Sequence, residues 1–318
     1  MNKYNGNKEF KIDIPKSVKL IIDILEKNGY EAFAVGGCVR DTILDRKPQD
    51  WDITTSALPN QVKELFYRTI DTGIQHGTVT VLIKGVGYEV TTYRIDGEYN
   101  DSRHPESVEF TADLIEDLKR RDFTINAMAY NPGIGLVDAF DGIGDIEKKE
   151  IRCVGNPRER FGEDALRILR AVRFSAQLGF HIEEGTMEAI KELAGTLENI
   201  SAERIHVELE KLIMSNHPDK LITAYEAGIT KVVIPEFDAM MECPQVSPYH
   251  MYNVGEHTIK VMENVPPTKE MRWAALLHDV GKPDSVIYDK KEPTRMHFYG
   301  HAHVGAKMVS TILRRLKM

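Results

Sequence analysis

The stretch "DWDITTSA", residues 50–57, sets two carboxylates, Asp50 and Asp52, on either side of one tryptophan. Alternate side chains of a β-strand share a face, so this spacing predicts both acids on one side and Trp51 on the other. Carboxylates held that close repel unless a cation sits between them. Hard oxygen donors of this kind suit Mg²⁺, which favours sites shared with phosphates. Such an ion would help activate an attacking hydroxyl and neutralise charge on a transferring phosphoryl group. Upstream, "AFAVGGCVRD" places Gly36 and Gly37 after an apolar run. A tight turn there brings backbone N–H groups near phosphate oxygens, with Arg40 in reach of the same charge. The Arg40-Asp41 step serves equally well as an ion pair at a helix start.

A second pattern follows Gly162, where Asp164, Arg167, Arg170 and Arg173 recur every third position. On one helix this is a slowly drifting stripe, with Leu166, Leu169 and Val172 turned elsewhere. A carboxylate and a guanidinium one turn apart offer a planar donor and acceptor edge that can hydrogen-bond a base. The plainer alternative is an exposed stripe of ion pairs. A third cluster lies near the end. His278-Asp279 closes an apolar helix stopped by Gly281, with His257 on a preceding helix and His301 on a following one. Imidazoles with a carboxylate suit a transition metal or Mg²⁺, which makes this a candidate second divalent-metal site. His250 and His303 read as ordinary surface or capping residues.

These residues need elements to hold them. Up to about residue 150, strand-like runs such as "EAFAVGG", "WDITTS", "SVEFT" and "AMAYN" alternate with helical ones. "TVTVLI" and "YEVTTYR", joined through Lys84-Gly85-Val86-Gly87, read as a β-hairpin. Helical periodicity then takes over: "EDALRILRAVRFSAQLGF" stops at Gly179, and "GTMEAIKELAGTL" and "AERIHVELEKLIMS" follow. The fold class is α+β, a small mixed sheet followed by an all-α region. Residues 1–150, 151–240 and 241–318 form the expected domains. The polar segment 95–109 reads as a mobile loop in or near the site.

The 318 residues, 42% apolar and 28% charged, have an ordinary soluble composition. No apolar run is long enough to span a membrane or act as a signal peptide, and the expected setting is the cytoplasm. The 3 cysteines lack disulfide or metal-finger spacing and read as buried free thiols. A formal net charge of -8 confines any nucleic-acid contact to a local patch.

"GGCVRD", "DWDITTSA", "RRDFTINAMAY" at 120–130 and "GEDALRILRAVRF" at 162–174 together resemble the class II tRNA nucleotidyltransferase and bacterial poly(A) polymerase family. The resemblance implies a polymerase-β-like nucleotidyltransferase head, a helical neck and body, and an HD-type helical region. It implies that Gly36, Gly37 and Arg40 hold a triphosphate and that Asp50 and Asp52 hold Mg²⁺. Glu89 is the expected third acid. Arg121 would sit near the nucleotide's phosphates or sugar, supported by Asp122 and Asn126. Asp164 and Arg167 would select cytosine or adenine, with Arg170 and Arg173 on phosphate or bracing the pair. The loop is similar to those of CCA-adding members, so adenosine addition is expected, with Arg94 and Arg103 as its candidate residues. CTP and ATP are the implied substrates and the tRNA 3′ end the implied partner. A poly(A) polymerase and an adenosine-adding enzyme use the same groups. An HD phosphohydrolase with an RNA-binding front half is the reading from another class, and the aspartate pair argues against it. The HD-type resemblance also implies a further downstream aspartate ligand, which residues up to 318 do not supply, so a truncated region is expected.

Overall fold

The computed structural model describes residue 4 and residues 6–97, 108–245, 251–291 and 296–318. The chain divides into two compact units, one ending at Glu163 and the other running from Asp164 to Met318.

The first unit carries α1 (Lys16–Lys27), β1 (Ala32–Val35), α2 (Gly37–Ile43), β2 (Asp52–Thr55), α3 (Pro59–Leu65), β3 (Thr69–Gly73), β4 (Thr78–Ile83) and β5 (Val86–Thr92). Then come β6 (Arg94–Asp96), β7 (Val108–Phe110), α4 (Leu114–Lys119), β8 (Met128–Asn131), β9 (Gly135–Asp138), α5 (Gly142–Lys148) and α6 (Pro157–Glu163). Seven strands form one sheet in the order β3-β4-β5-β2-β1-β8-β9. It is mixed, because β2 and β5 run parallel while the other pairs are antiparallel. The α+β expectation holds, and each quoted strand segment forms a strand. The hairpin turn is tighter than the sequence suggested. It uses Lys84 and Gly85 alone, at φ 52° and 83°, which matches the twist of the strands it joins.

β1, "AFAV", is buried along its whole length. β2 and β8 pair with its two edges, and because all four of its residues are buried, on both faces, it needs no polar alternation. Phe33, Val35, Ala127 and Ala129 join Leu114 and Leu118 of α4 in one apolar cluster. The Leu114–Leu118 spacing puts both leucines on one helix face, and Asp113 caps that helix by accepting the Ile115 N–H at 2.9 Å. β6 and β7 pair as a separate hairpin around the polar segment. Residues 98–107 of that segment, Arg103 among them, lie outside the described residues.

The second unit carries α7 (Leu166–Leu178), α8 (Glu184–Leu193), α9 (Ala202–Ile213), α10 (Lys220–Glu226), α11 (Thr230–Val233), α12 (Pro235–Met241), α13 (Val254–Asn264), α14 (Lys269–Leu277) and α15 (His301–Arg315). Gly179 ends α7 in the left-handed region at φ 70°, as its position predicted. An Asn253–Glu256 capping box opens α13. Among the described residues no helix is long and apolar enough to cross a membrane. Cys38, Cys153 and Cys243 are buried and free.

Candidate active site

Strand register gathers the head residues. Val35 pairs with Asp52, so the glycine turn that follows β1 stands beside the first residue of β2. On its other side β2 runs parallel to β5 with Ile53 opposite Val90, which sets Glu89 next to Asp52. The sequence places the carboxylate pair inside one strand; instead β2 begins at Asp52, and Asp50 and Trp51 precede it. Asp50 still acts on Asp52 by its charge. Loss of water first, then the charge of Glu89 and more weakly that of Asp50, raise the Asp52 carboxyl above its ordinary value, and Arg121 pulls the other way. Solvent still reaches Asp52, so the crowding is that of the surface and not of the core. Burial pushes the neighbouring Cys38 thiol up to about 11, which leaves it inert.

Gly36 adopts φ 81° and ψ −130°, which only glycine takes without strain. A Cβ there would lie 3.1 Å from Arg121 Nη1, so the guanidinium rests against the turn. The Gly36 N–H donates to Met128 O at 3.1 Å, and the amides at the start of α2, from Gly37 onward, come before the first intrahelical bond, from Arg40 N–H to Gly36 O. Arg40 is buried. Its Nη1 donates to Asn126 Oδ1 at 2.6 Å and its Nη2 to Asp41 Oδ1 at 2.8 Å. Asn126 Nδ2 donates in turn to Asp122 Oδ1 at 3.1 Å. One polar chain thus links the glycine turn to the "RRDFTINA" segment, and the Arg40–Asp41 ion pair is part of it. Arg94 Nη1 donates to the His76 carbonyl.

Sequence reasoning missed Asp117. Its side chain is fully buried and accepts from Arg120, Arg121 and Thr54. Burial alone would raise its carboxyl, but the two guanidiniums and the hydrogen bonds from Arg120 and Thr54 outweigh it and hold the carboxyl below the usual carboxylate range. The signal was present in "DLKRR", where arginines stand three and four positions after an acid.

The arginine stripe is not one face of one helix. α6 ends at Glu163 and α7 begins at Leu166, so Asp164 lies in the break between them. There its Oδ1 accepts the Leu166 N–H at 3.1 Å and its Oδ2 accepts from Arg204 Nη2 at 2.7 Å. Steps of three residues lose about 60° each on an α-helix, and the stripe rotates out of register with itself. Arg167 and Arg170 stay half-buried. Arg173 is carried inside, donating from Nε to Glu208 at 2.8 Å with its guanidinium carbon 3.5 Å from the Phe174 ring centre.

The histidine cluster forms as its spacing suggested. His257 of α13, His278 just past α14 and Asp279 bring ligand atoms within 4.8 Å of one another, which no other set of three such side chains does among the described residues, Asp50, Asp52 and Glu89 included. His301 Nε2, at the start of α15, lies 3.6 Å from Asp279 Oδ1. His278 Nδ1 and His301 Nδ1 each meet a backbone carbonyl, Ala275 O at 2.7 Å and Phe298 O at 2.8 Å, which points both Nε2 atoms at Asp279. Lys282 was not foreseen. Its Nζ sits 2.7 Å from Asp279 Oδ2 and 2.8 Å from Gln245 Oε1. Burial would raise the Asp279 carboxyl, but His278 and Lys282 overcome it and hold it well below the usual range, and the Asp279 bond in turn raises His278. Gly281 does not end the helix, since α14 stops at Leu277; it is needed for a close approach. A Cβ on it would lie 2.4 Å from His301 O and Gly305 N, so only glycine lets α15 approach. His303 is an exposed residue of α15, and His250 lies outside the described residues.

Residues 32–152 match the poly A polymerase head domain, 179–241 a probable RNA and SrmB-binding site of polymerase A, and 249–318 an HD domain. The Bacillus stearothermophilus CCA-adding enzyme, solved in complex with CTP, is 36% identical with a TM-score of 0.69, covering 94% of this chain and 68% of that one. The chain belongs to the tRNA nucleotidyltransferase and poly(A) polymerase family. Within that family, a CCA-adding enzyme of Lactiplantibacillus plantarum is 55% identical over 203 residues, which are 64% of this chain and 50% of that protein. One from Leuconostoc citreum is 51% identical over 212 residues, 66% of this chain and 53% of the other. The chain thus spans about half the length of the curated relatives it matches. A Thermotoga maritima CCA-adding enzyme complexed with tRNA shares the fold at 24% identity and a TM-score of 0.66.

Proposed function

We propose that the chain is a cytoplasmic, template-independent tRNA nucleotidyltransferase that adds C, C and A to a tRNA 3′ end from CTP and ATP, releasing pyrophosphate. One observation carries the reading: register sets Asp52 between the Gly36 turn and Glu89, with Arg121 against the turn. The donor set fits a divalent ion, because the charges of Glu89 and Asp50 add to burial in raising Asp52 and Arg121 does not offset them. Asp50 and Asp52 would hold that ion, Mg²⁺ in our reading, with Glu89 beside them. When bound, it neutralises phosphoryl charge and favours ionisation of the attacking hydroxyl. The protein's own groups do the rest. The amides at the start of α2, Gly37 first, and the Arg121 guanidinium take the triphosphate, and Arg40 holds the turn to Asn126. The terminal 3′ oxygen then attacks the α-phosphorus as the bond to pyrophosphate breaks.

Asp164 and Arg167 are assigned to base reading. The Arg204 bond fixes the Asp164 carboxylate with lone pairs to spare for an amino group of cytosine or adenine. Arg170 serves phosphate, and Arg173 braces α7 through Glu208. CCA addition is favoured over poly(A) synthesis because the relatives above 50% identity are CCA-adding enzymes. We further propose the domains 1–150, 151–240 and 241–318 as head, neck and HD-type region. In the last, His257, His278, Asp279 and His301 would hold a second divalent ion. A tRNA transcript lacking its CCA end, incubated with CTP and ATP and sequenced at its 3′ terminus, tests the reading. CCA followed by arrest is the expected product; long adenosine tails, or addition only to a CC end, would replace it with a sister specificity.

A further inference from the structure

Asp117 has no accessible surface, and a carboxylate so placed is tolerated only when paired and hydrogen-bonded. Its two oxygens face different neighbours. Oδ2 accepts from Thr54 Oγ1 at 3.1 Å and from Arg121 Nη2 at 3.3 Å. Oδ1 accepts from Arg120 Nε at 3.0 Å and Nη2 at 2.7 Å, and from the Arg94 backbone N–H at 3.4 Å. Thr54 stands two residues after Asp52 on β2, and Arg121 is the cation whose field acts on Asp52. Arg121 Nε is buried and has no partner among the described residues, so the bond to Asp117 is what orients this guanidinium.

We propose that Asp117 is a positioning residue that holds Arg121 in place for the phosphates of an incoming nucleotide and locks it to the strand bearing Asp52. The proposal rests on the nucleotidyltransferase reading. The charge of Asp117 matters as much as its shape. Two guanidiniums share this one carboxylate, and Asp52, at the head of β2, already feels the charge of Arg121. With Asp117 neutral, Arg121 swings toward Asp52 and becomes the counter-ion of the carboxylates that a divalent ion should occupy. The nucleotide then loses a phosphate partner and the metal meets a competitor.

Asp117→Asn keeps the side-chain shape and removes the charge. It is expected to raise the KM for CTP about tenfold, the scale of one hydrogen bond to a charged group, while the KM for the tRNA acceptor stays at the wild-type value. The Mg²⁺ concentration for half-maximal activity should rise with it. Combined with Arg121→Lys, the loss should fall short of the product of the single losses, because both variants break one interaction. A uniform fall in kcat with both KM values and the metal requirement unmoved would reduce Asp117 to a structural residue and overturn the proposal. Should Asp117→Asn fail to fold, Thr54→Val removes one of the two donors to Oδ2, a hydroxyl that also meets the Thr91 carbonyl at 3.2 Å, and leaves the Arg121 bond as the other. A roughly threefold rise in CTP KM is expected there, and no change would overturn the proposal equally. CTP titrated into wild type and variant in a chelator reads the same positioning by equilibrium binding. That separates failure of this proposal from failure of the CCA reading, since binding does not depend on which product forms.

Discussion

Two buried or crowded aspartates, Asp52 in the head and Asp279 in the helical unit, have opposite electrostatics. Asp52 is raised, first by loss of water and then by the like charges of Glu89 and, more weakly, Asp50, with Arg121 pulling the other way. Asp279 is lowered, because His278 and Lys282 outweigh its burial. The difference is one of who supplies the counter-charge. In the head Arg121 opposes the like charges at Asp52 without outweighing them, which leaves negative charge for an external cation to meet. The histidine site carries an ammonium of its own at 2.7 Å, and any metal must share or displace it.

The sharpest break of this comparison is Asp52→Asn. Nucleotide addition should fall by about a thousandfold or more, the usual scale for an essential charged group in phosphoryl transfer. In a chelator the same variant should melt slightly above wild type, because a like charge has left the cluster. A lower melting temperature would show that the acids are not mutually repulsive and would remove the case for an ion at this place.

At the other site, Lys282→Met leaves Asp279 with imidazoles alone. Removing one partner of a buried ion pair costs about 3–5 kcal/mol, so metal-free protein should melt several degrees lower. Mn²⁺ should then restore more stability to the variant than it adds to wild type, since the ammonium no longer competes. Equal Mn²⁺-induced shifts in the two proteins would mean that Lys282 stands outside the metal position, and the contrast with the head would weaken.

Asp117 extends the comparison within the head itself, being an acid there that has its own cations. Its folded carboxyl lies below the ordinary value, so its stabilisation is complete above the unfolded-state value of about 3.9 and is lost as pH falls through the lower, folded one. The stability gap between wild type and Asp117→Asn, measured by urea unfolding, should be constant from neutral pH to about pH 5 and close in stronger acid. A gap that closes already between pH 7 and pH 6 would place Asp117 among the raised acids, with Asp52.

What could be read from the sequence follows the range of the forces involved. The carboxylate pair, the glycine turn, the hairpin and the histidine cluster were legible because each depends on close spacing or on one local turn. The third acid was placed beside Asp52 only by the parallel β2–β5 register, a non-local pairing that spacing does not fix. The arginine stripe was misjudged for a different reason. Periodicity assumed one helix through Asp164, but Asp164 hydrogen-bonds the Leu166 N–H and starts a new one. Arg173 then turns inward, where Glu208 and Phe174 receive it. Lys282 and Asp117 were visible as charges three or four residues from an opposite charge, a pattern too common on exposed helices to single out until burial is known.

The smallest effect concerns the turn that borders the head acids. Gly36→Ala puts a side chain into a conformation reserved for glycine, at φ 81° and ψ −130°, which costs about 1–3 kcal/mol of strain. The new methyl would also stand 3.1 Å from Arg121 Nη1, so the guanidinium must give by a few tenths of an ångström. Arg121 is bonded to Asp117 through Nη2, and clearing the methyl displaces Nη1 from the turn. Nucleotide KM should therefore rise a few-fold along with a modest loss of melting temperature. Stability and KM are separable in a double variant. If Arg121→Lys, with its slimmer head group, relieves the crowding, adding Gly36→Ala to it should raise KM less than adding it to wild type. An equal rise in both backgrounds would mean that Gly36 serves the phosphate directly and that the Arg121 contact is incidental.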